Sequence, residues 1–258
     1  MPGGTRPTRV SLFVTCLIDL LYPEIADATV RLLRDLDVEV DVPGGQTCCG
    51  QPAYNAGFPG DARRMAGALI GAIGDGGTVV TSSGSCAAMV RSNLPTLFSG
   101  TPHQERARGL AERTFELSQF LVDELGVEGR IGSLPARVTF HDACHGLREL
   151  GLASQGRRLL AGIEGLELVE MARPDACCGF GGTFSVRLPE MATAMGADKL
   201  GQAGATGADL LVTGDAGCLM HLAGLRSRRD RSPRPVHLAV LLAQARGLLA
   251  PEGPDDRP

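Results

Sequence analysis

The stretch Cys48-Cys49-Gly50-Gln51-Pro52 reveals how this chain is organised, because its first three residues recur 129 residues later as Cys177-Cys178-Gly179. Single cysteines accompany both copies at matching distances: Cys16 and Cys86 around the first, and Cys144 and Cys218 around the second. Matching cysteines are separated by 128 to 132 residues throughout. Three landmarks that recur in the same order at nearly constant spacing predict a tandem duplication.

The composition indicates a folded chain that is long enough for two domains. Of the 258 residues, 43% are hydrophobic and 21% are charged, so the burial of apolar surface can offset the entropy lost on folding. A formal net charge of −4 argues against a dedicated nucleic-acid binder, whose phosphate partners need a concentrated positive field. Asp230, Ser232 and Pro233 interrupt the arginine-rich residues 226–234, which we interpret as a solvated loop.

Neither a membrane span nor an export signal is predicted. No apolar run approaches the roughly 20 residues that cross a bilayer. Residues 10–21 imitate the apolar part of a signal peptide, but Asp19 interrupts them and no small-residue cleavage site follows. We therefore expect a cytoplasmic protein. In that reducing compartment, cysteines indicate metal binding or catalysis rather than a disulfide framework.

Strand and helix patterns alternate in both halves of the chain. Short apolar runs predict strands at residues 10–14, 38–42 and 79–81, and again at 138–140, 167–171 and 210–212. Apolar residues at helical spacing predict helices around residues 25–36 and 65–73, and again around 157–163 and 189–203. Such alternation predicts an α/β protein made of two homologous β-α-β domains, each with a parallel sheet.

The boundary between the two domains is expected in the segment 126–135, which is rich in Gly and Pro. This places the first cysteine-rich domain at residues 1–130 and the second at residues 131–258. Apolar helices over 110–125 and 238–245 are predicted to close the two halves and to belong to the core. The Pro- and Asp-rich tail from residue 251 is expected to be disordered.

Every cysteine follows the end of a predicted strand by a few residues. Ligands of open α/β sheets bind at the carboxyl ends of the strands, so three loops at one sheet edge can bring four sulfurs together. We therefore predict one four-thiolate metal site in each half. The first quartet consists of Cys16, Cys48, Cys49 and Cys86, and the second quartet consists of Cys144, Cys177, Cys178 and Cys218.

Four thiolates suit either zinc or an iron-sulfur cluster. Structural zinc sites usually take their ligands from two tight knuckles, whereas these come from three distant loops and include an adjacent pair. Glycines next to the cysteines expose backbone N–H groups, which stabilise an anionic cluster. The residues favour an iron-sulfur cluster in each half, with zinc retained as the alternative, above all in the first.

The duplicated pattern resembles the cysteine-rich CCG domain family, whose members include iron-sulfur proteins of the heterodisulfide reductase type. The phrases Leu12-Phe-Val-Thr-Cys-Leu-Ile-Asp19, Cys48-Cys-Gly-Gln-Pro-Ala-Tyr-Asn55 and Cys177-Cys-Gly-Phe-Gly-Gly-Thr-Phe-Ser185 more narrowly resemble the lactate utilization protein A family. So does Gly217-Cys-Leu-Met220. The resemblance covers essentially the whole chain after Arg9.

The resemblance implies an iron-sulfur subunit of a lactate-oxidising complex that does not use NAD. Such an oxidoreductase subunit would relay electrons from the oxidation of L-lactate to pyruvate. It would work beside a ferredoxin-like iron-sulfur subunit and a third subunit. Its eight cysteines would carry conventional 4Fe-4S clusters, one per domain.

One departure from the wider family concerns a fifth cysteine. Heterodisulfide reductase-like members end each motif in Cys-x-x-Cys, but the final positions here are Met89 and His221. The loss counts against the noncubane cluster of those relatives and against their disulfide chemistry. Two alternatives stay open: a thiol or disulfide reductase of the heterodisulfide reductase type, and a zinc-bearing scaffold subunit.

Other polar residues near the cysteines have both functional and structural interpretations. The imidazole of His221 is a candidate ligand, although an ordinary place on a helix is favoured. His141 and His145 flank Cys144 as candidate donors to the site or as structural hydrogen-bond partners. Asp142 and Asp215 are predicted to cap the helices that follow them. Paired catalytic carboxylates, a Ser-His-Asp order and a nucleotide-binding loop are all missing from the sequence, so catalytic residues are not assigned.

Overall fold

The structure is a computed structural model that describes residues 6–227 and 233–250. Within these residues it contains two sheets of four parallel strands each. The first sheet has the order β2-β1-β3-β4 and comprises β1 (Arg9–Leu12), β2 (Glu39–Asp41), β3 (Thr78–Thr81) and β4 (Thr114–Glu116). The second has the order β6-β5-β7-β8 and comprises β5 (Gly132–His141), β6 (Ile163–Leu168), β7 (Leu210–Thr213) and β8 (Arg234–His237). The identical order confirms the predicted pair of duplicated α/β domains.

Helices connect the strands in both halves. The first half contains α1 (Cys16–Leu21), α2 (Pro23–Asp35), α3 (Gln51–Asn55), α4 (Pro59–Ile73), α5 (Gly84–Ala88), α6 (Leu94–Leu97), α7 (Gln104–Glu112) and α8 (Leu117–Gln119). The second contains α9 (Cys144–Leu150), α10 (Gln155–Ala161), α11 (Thr183–Arg187), α12 (Pro189–Ala205), α13 (Ala216–Arg226) and α14 (Leu238–Ala245). Two π-helical segments follow α5 and α8, at Met89–Asn93 and Phe120–Glu124. None of the helices in the described part of the chain is long and apolar enough to cross a membrane.

The predictions of helices α2, α4 and α12 match the structure, and each of these helices carries a local signal at its start. Helix α2 buries Ile25, Ala28, Leu32 and Leu33, which lie at helical spacing on one face. Proline begins α2, α4 and α12, where its missing N–H leaves no hydrogen bond broken.

The last strand of each sheet was not predicted from the sequence. The predicted helix over 110–125 is wrong as a single element, because β4 separates α7 from α8. Both β4 and β8 are only three or four residues long and pair with the edge of an existing sheet. Strands this short carry too little alternation to be distinguished from a helix segment, since their pairing partners supply most of their stability.

Two further boundaries differ from the predictions. Strand β6 covers Ile163–Leu168 rather than residues 167–171, and Ile163 follows α10 after a single residue. Strand β5 begins at Gly132, inside the segment expected to be a loop, and its pairing with β6 is irregular between Ser133 and Ala136. Most of the arginine-rich segment and the tail lie outside the described residues, so their predicted conformations stay predictions.

The two halves share one hydrophobic core. Helix α14 packs against α2 of the first half as well as against strands of its own sheet. In return, α8 and the π-helical segment Phe120–Glu124 pack against α10 of the second half. A single cluster of buried side chains therefore runs through both halves and includes Leu33, Phe120 and Leu241.

A buried carboxylate lies at the end of β4. Glu116 is 3% exposed, and its Oε2 accepts hydrogen bonds from the backbone N–H groups of Ser118 (2.7 Å) and Gln119 (3.2 Å) as well as from the Ser118 hydroxyl. Burial nevertheless raises the pKa of Glu116 from its ordinary value of 4.5 to about 7.

This shift predicts a pH-dependent loss of stability. The folded state binds the proton of Glu116 more tightly than the unfolded state, so the free energy of unfolding falls as the pH rises from about 4.5 to about 7. The total change is about 3 kcal/mol. Glu116→Gln removes this contribution, and urea denaturation of both proteins at pH 5 and pH 8 measures the difference. Equal pH dependence of the two proteins would contradict the assignment.

Candidate metal centres

Three loops of the first half bring its cysteines to the carboxyl ends of the strands. Cys16 begins α1 directly after β1, and Cys86 lies on α5 directly after β3. Cys48 and Cys49 lie in the loop that leads from β2 to α3. The Sγ atoms of Cys49 and Cys86 are 3.3 Å apart, and Cys48 hydrogen-bonds to both Cys16 and Cys49. The structure therefore brings the four thiols of the first quartet together.

The second quartet repeats this arrangement. Cys144 begins α9 after β5, Cys218 lies on α13 after β7, and the adjacent pair Cys177 and Cys178 follows β6. The Sγ atoms of Cys178 and Cys218 are 3.1 Å apart, and Cys177 hydrogen-bonds to both Cys144 and Cys178. In each quartet the second cysteine of the adjacent pair and the last cysteine are buried, while the other two are partly exposed.

One thiol of each quartet is strongly acidified. Hydrogen bonds from Cys16 and Cys49 lower the pKa of Cys48 to about 3. Hydrogen bonds from Cys144 and Cys178 lower the pKa of Cys177 to about 2. The same interactions raise the pKa of the neighbouring donors, so the negative charge is concentrated on one sulfur of each quartet. A bound cation would compensate further thiolates and release their protons.

The glycine after each cysteine pair holds its loop against a helix. Gly50 has a φ of 86° and Gly179 has a φ of 92°. Residues with a side chain rarely adopt this backbone conformation. A Cβ atom on Gly179 would lie 2.4 Å from the carbonyl oxygen of Ala192, and one on Gly50 would lie 2.8 Å from that of Ala62. This approach directs the N–H groups of Gly50 and Gly179 towards the sulfurs of Cys48 and Cys177, at 3.5 and 3.4 Å.

A cavity of about 150 Å³ lies between the two quartets, and all eight cysteines line it. Its other lining residues include Gln51, Asn55, Ser85, His145 and Phe180. The two quartets therefore face one common space.

Loops from the two halves meet directly beside this cavity. The carboxylate of Asp215 accepts hydrogen bonds from Gly217 and Cys218 through Oδ1, which caps α13 as predicted. Through Oδ2 it accepts hydrogen bonds from the Ser83 hydroxyl (3.2 Å) and the Ser85 backbone N–H (2.8 Å) of the first half. Sequence reasoning missed this contact across the halves, because no local pattern reports which loops meet.

The donor set of each quartet fits a metal that prefers thiolates. A single zinc ion with Zn–S bonds of about 2.3 Å places tetrahedral sulfurs about 3.8 Å apart. The observed separations of 3.3 and 3.1 Å are shorter than that value, so these sulfurs lie close enough to share one ion. The four cysteines of each quartet would equally hold a four-iron cluster, which takes four thiolate ligands and would supply one-electron transfer.

The remaining residues predicted near the quartets take different places. Nε2 of His221 donates a hydrogen bond to the carbonyl oxygen of Ala192 (3.1 Å), which favours the structural interpretation of this histidine. Met89, at the matching position of the first half, is buried in the core. His145 lies at the cavity with Nδ1 3.5 Å from the Sγ atom of Cys144. Asp142 does not cap α9 but forms an ion pair with Arg157 (2.7 Å), which corrects the prediction.

Comparisons with known proteins support the same organisation. A family model described as a cysteine-rich domain, CCG, matches residues 10–91 and 138–223. A lactate utilization protein A from Geobacillus kaustophilus (strain HTA426) is 46% identical over 235 residues, which cover 91% of this chain and 98% of that protein. Lactate utilization protein A from Bacillus subtilis (strain 168) is 42% identical over 235 residues, with the same coverage.

A solved structure of a hypothetical protein from Helicobacter pylori also has a similar fold. It matches with a TM-score of 0.62 and 12% sequence identity. The match covers 94% of this chain and 50% of the other, so the chain spans half the length of that protein. At this identity the comparison shows the fold alone.

Two parallel α/β units that each carry a cysteine quartet define a duplicated cysteine-rich domain protein, and the chain belongs to the cysteine-rich CCG domain family. Within that family it belongs to the lactate utilization protein A family, as its identity to those members over 91% of its length shows.

Proposed function

We propose that the chain is the iron-sulfur subunit of a lactate-oxidising complex and relays electrons from L-lactate oxidation. The observation that carries this proposal is the pair of thiol quartets that face one shared cavity. Two redox centres on a common space suit a reaction that delivers two electrons. The names of the similar proteins from Geobacillus and Bacillus support lactate as the substrate of the complex.

The oxidation of L-lactate to pyruvate releases two electrons and two protons, and the role proposed for this chain concerns the electrons. The two quartets would hold one cluster each, and a bound cluster supplies one-electron transfer. The N–H groups of Gly50, Gly179 and Phe180 point at cysteine sulfurs at 3.4 to 3.5 Å and would stabilise their negative charge. Burial of Cys49 and Cys178 keeps water from part of each quartet.

The proposed partners are a ferredoxin-like iron-sulfur subunit and a third subunit, working in the cytoplasm. Large apolar side chains are exposed on elements that adjoin the quartets. Leu20 and Leu21 lie on α1, which begins at Cys16, and Val186 lies on α11, which follows the second cysteine pair. Exposed apolar side chains next to redox centres suit a protein partner that exchanges electrons there.

A zinc-bearing scaffold is the second candidate, because the short distances between sulfurs favour a single ion. Such a protein would use its cysteines only to hold loops together. It would contribute no electron transfer, although its loss could still disassemble the complex.

Anaerobic purification followed by analysis of iron, sulfide and zinc tests the proposal. We expect about four irons with matching sulfide per quartet, visible absorbance that bleaches on reduction, and failure of a deletion strain to grow on L-lactate. One zinc per quartet without visible absorbance would establish the scaffold instead. Normal growth of the deletion strain on L-lactate would overturn the lactate role whatever the metal.

A further inference from the structure

The two quartets differ in the side chains beneath them. His141 precedes Cys144 by three residues, and Phe13 holds the matching place before Cys16. Lys199 follows Ala192 by seven residues, and Leu69 holds the matching place after Ala62. All four side chains are buried, at 0 to 1% exposure. The second half therefore keeps two polar side chains in its interior where the first half has apolar ones, and such burial is costly without a compensating role.

A hydrogen bond fixes which nitrogen of His141 carries the proton. Nδ1 lies 3.3 Å from the carbonyl oxygen of Pro174, which also accepts hydrogen bonds from the backbone N–H of Asp142 (3.1 Å) and from Nζ of Lys199 (3.2 Å). A carbonyl oxygen can only accept, so Nδ1 must be the donor. In the neutral ring, Nε2 then keeps its lone pair, which is the form of histidine that binds metals.

His141 lies beside the second quartet, and its Nε2 atom is buried. Nε2 of His141 makes no hydrogen bond within the described residues, although it is shielded from solvent. A ring nitrogen of His141 and the sulfurs of Cys178 and Cys218 all lie within 4.8 Å of one another. A buried acceptor without a donor is unfavourable, and a metal held by these sulfurs would satisfy it.

We infer that His141 binds the metal of the second quartet through Nε2, beside Cys178 and Cys218, while the first quartet binds its metal through cysteines alone. The hydrogen bond from Nδ1 to Pro174 orients the ring, as second partners commonly do for metal-bound histidines. Nζ of Lys199 donates a hydrogen bond to that carbonyl and lies near the sulfurs of Cys178 and Cys218. The inference rests on the metal-binding part of the proposed function and is independent of lactate.

The test uses protein purified anaerobically from cells supplied with ¹⁵N-histidine. Pulsed EPR of the reduced protein is expected to show a strong ¹⁵N coupling from a directly bonded imidazole. If the protein is isolated with zinc or without metal, the same EPR measurement is made after loading it with Co²⁺ alone, because Co²⁺ is paramagnetic. The inference thus stays testable if the iron-sulfur proposal fails.

Three matched variants identify the histidine. His141→Asn can still donate to Pro174 but lacks Nε2, and we expect it to lose the coupling and to bind metal at the second quartet about ten- to a hundredfold more weakly in competition with a chelator. His145→Asn and His221→Asn are each expected to keep the coupling. The inference is overturned if the parent protein shows no strong coupling, or if the coupling is lost in either His145→Asn or His221→Asn. Because the parent and these two controls decide the outcome, a misfolded His141→Asn protein would not prevent a decision.

Discussion

Replacing Cys177 and Cys178 together by serine is expected to remove the metal of the second quartet and to lower the proposed electron transfer at least a hundredfold. Serine hydroxyls do not ionise near neutral pH, so the quartet loses two of its four thiolates, among them the acidified Cys177. Since both quartets line the same cavity, an electron path that uses them in sequence is broken at one end.

The corresponding change in the other half is the matched control. Cys48→Ser with Cys49→Ser is expected to remove the metal of the first quartet and leave that of the second. Each double variant should then hold about half of the metal of the parent protein, measured by elemental analysis. Full metal content in either variant would show that the altered quartet is not a metal site.

The second large effect is expected from Gly179→Ala. The added Cβ would collide with the carbonyl oxygen of Ala192 at 2.4 Å, and the φ of 92° is strained for alanine. Together, the strain and the collision should cost about 4 kcal/mol of unfolding free energy. Displacement of the loop should also weaken metal binding by Cys177 and Cys178.

Gly201→Ala on α12 is the matched control for this glycine. A Cβ there meets nothing within 4 Å, and the residue lies inside a helix. We expect Gly201→Ala to raise the stability by up to about 1 kcal/mol. Denaturation of both variants by urea measures the difference, and equal stabilities would refute the importance of the close approach at Gly179.

The repeated cysteines made the fold and the place of the sites predictable. A quartet spread over three strand ends has few solutions in an α/β protein, so the cysteine repeat together with the predicted strands placed Cys16 and Cys144 at the same sheet edge as their partners. The short edge strands β4 and β8 were not predictable, because they depend on a neighbouring strand rather than on their own residues.

The contacts between the two halves were also not predictable from the sequence. The contact of Asp215 with Ser85 and the cavity common to both quartets depend on how two domains pack, which no periodicity encodes. The position of His141 was only partly predictable from the sequence. Its closeness to Cys144 was read directly from the sequence, but its approach to Cys178 and Cys218 requires the folded loops.

The reciprocal packing of α14 on α2 and of α8 on α10 has a consequence for the short segment between the π-helical segment Phe120–Glu124 and β5. Each half covers apolar surface that belongs to the other, so the two halves behave like separate chains that are held at a high local concentration. Residues 126–131 therefore act chiefly as a tether. Hydrolysis of one peptide bond there should leave two fragments that stay associated, and the fragments should separate only when the shared core unfolds.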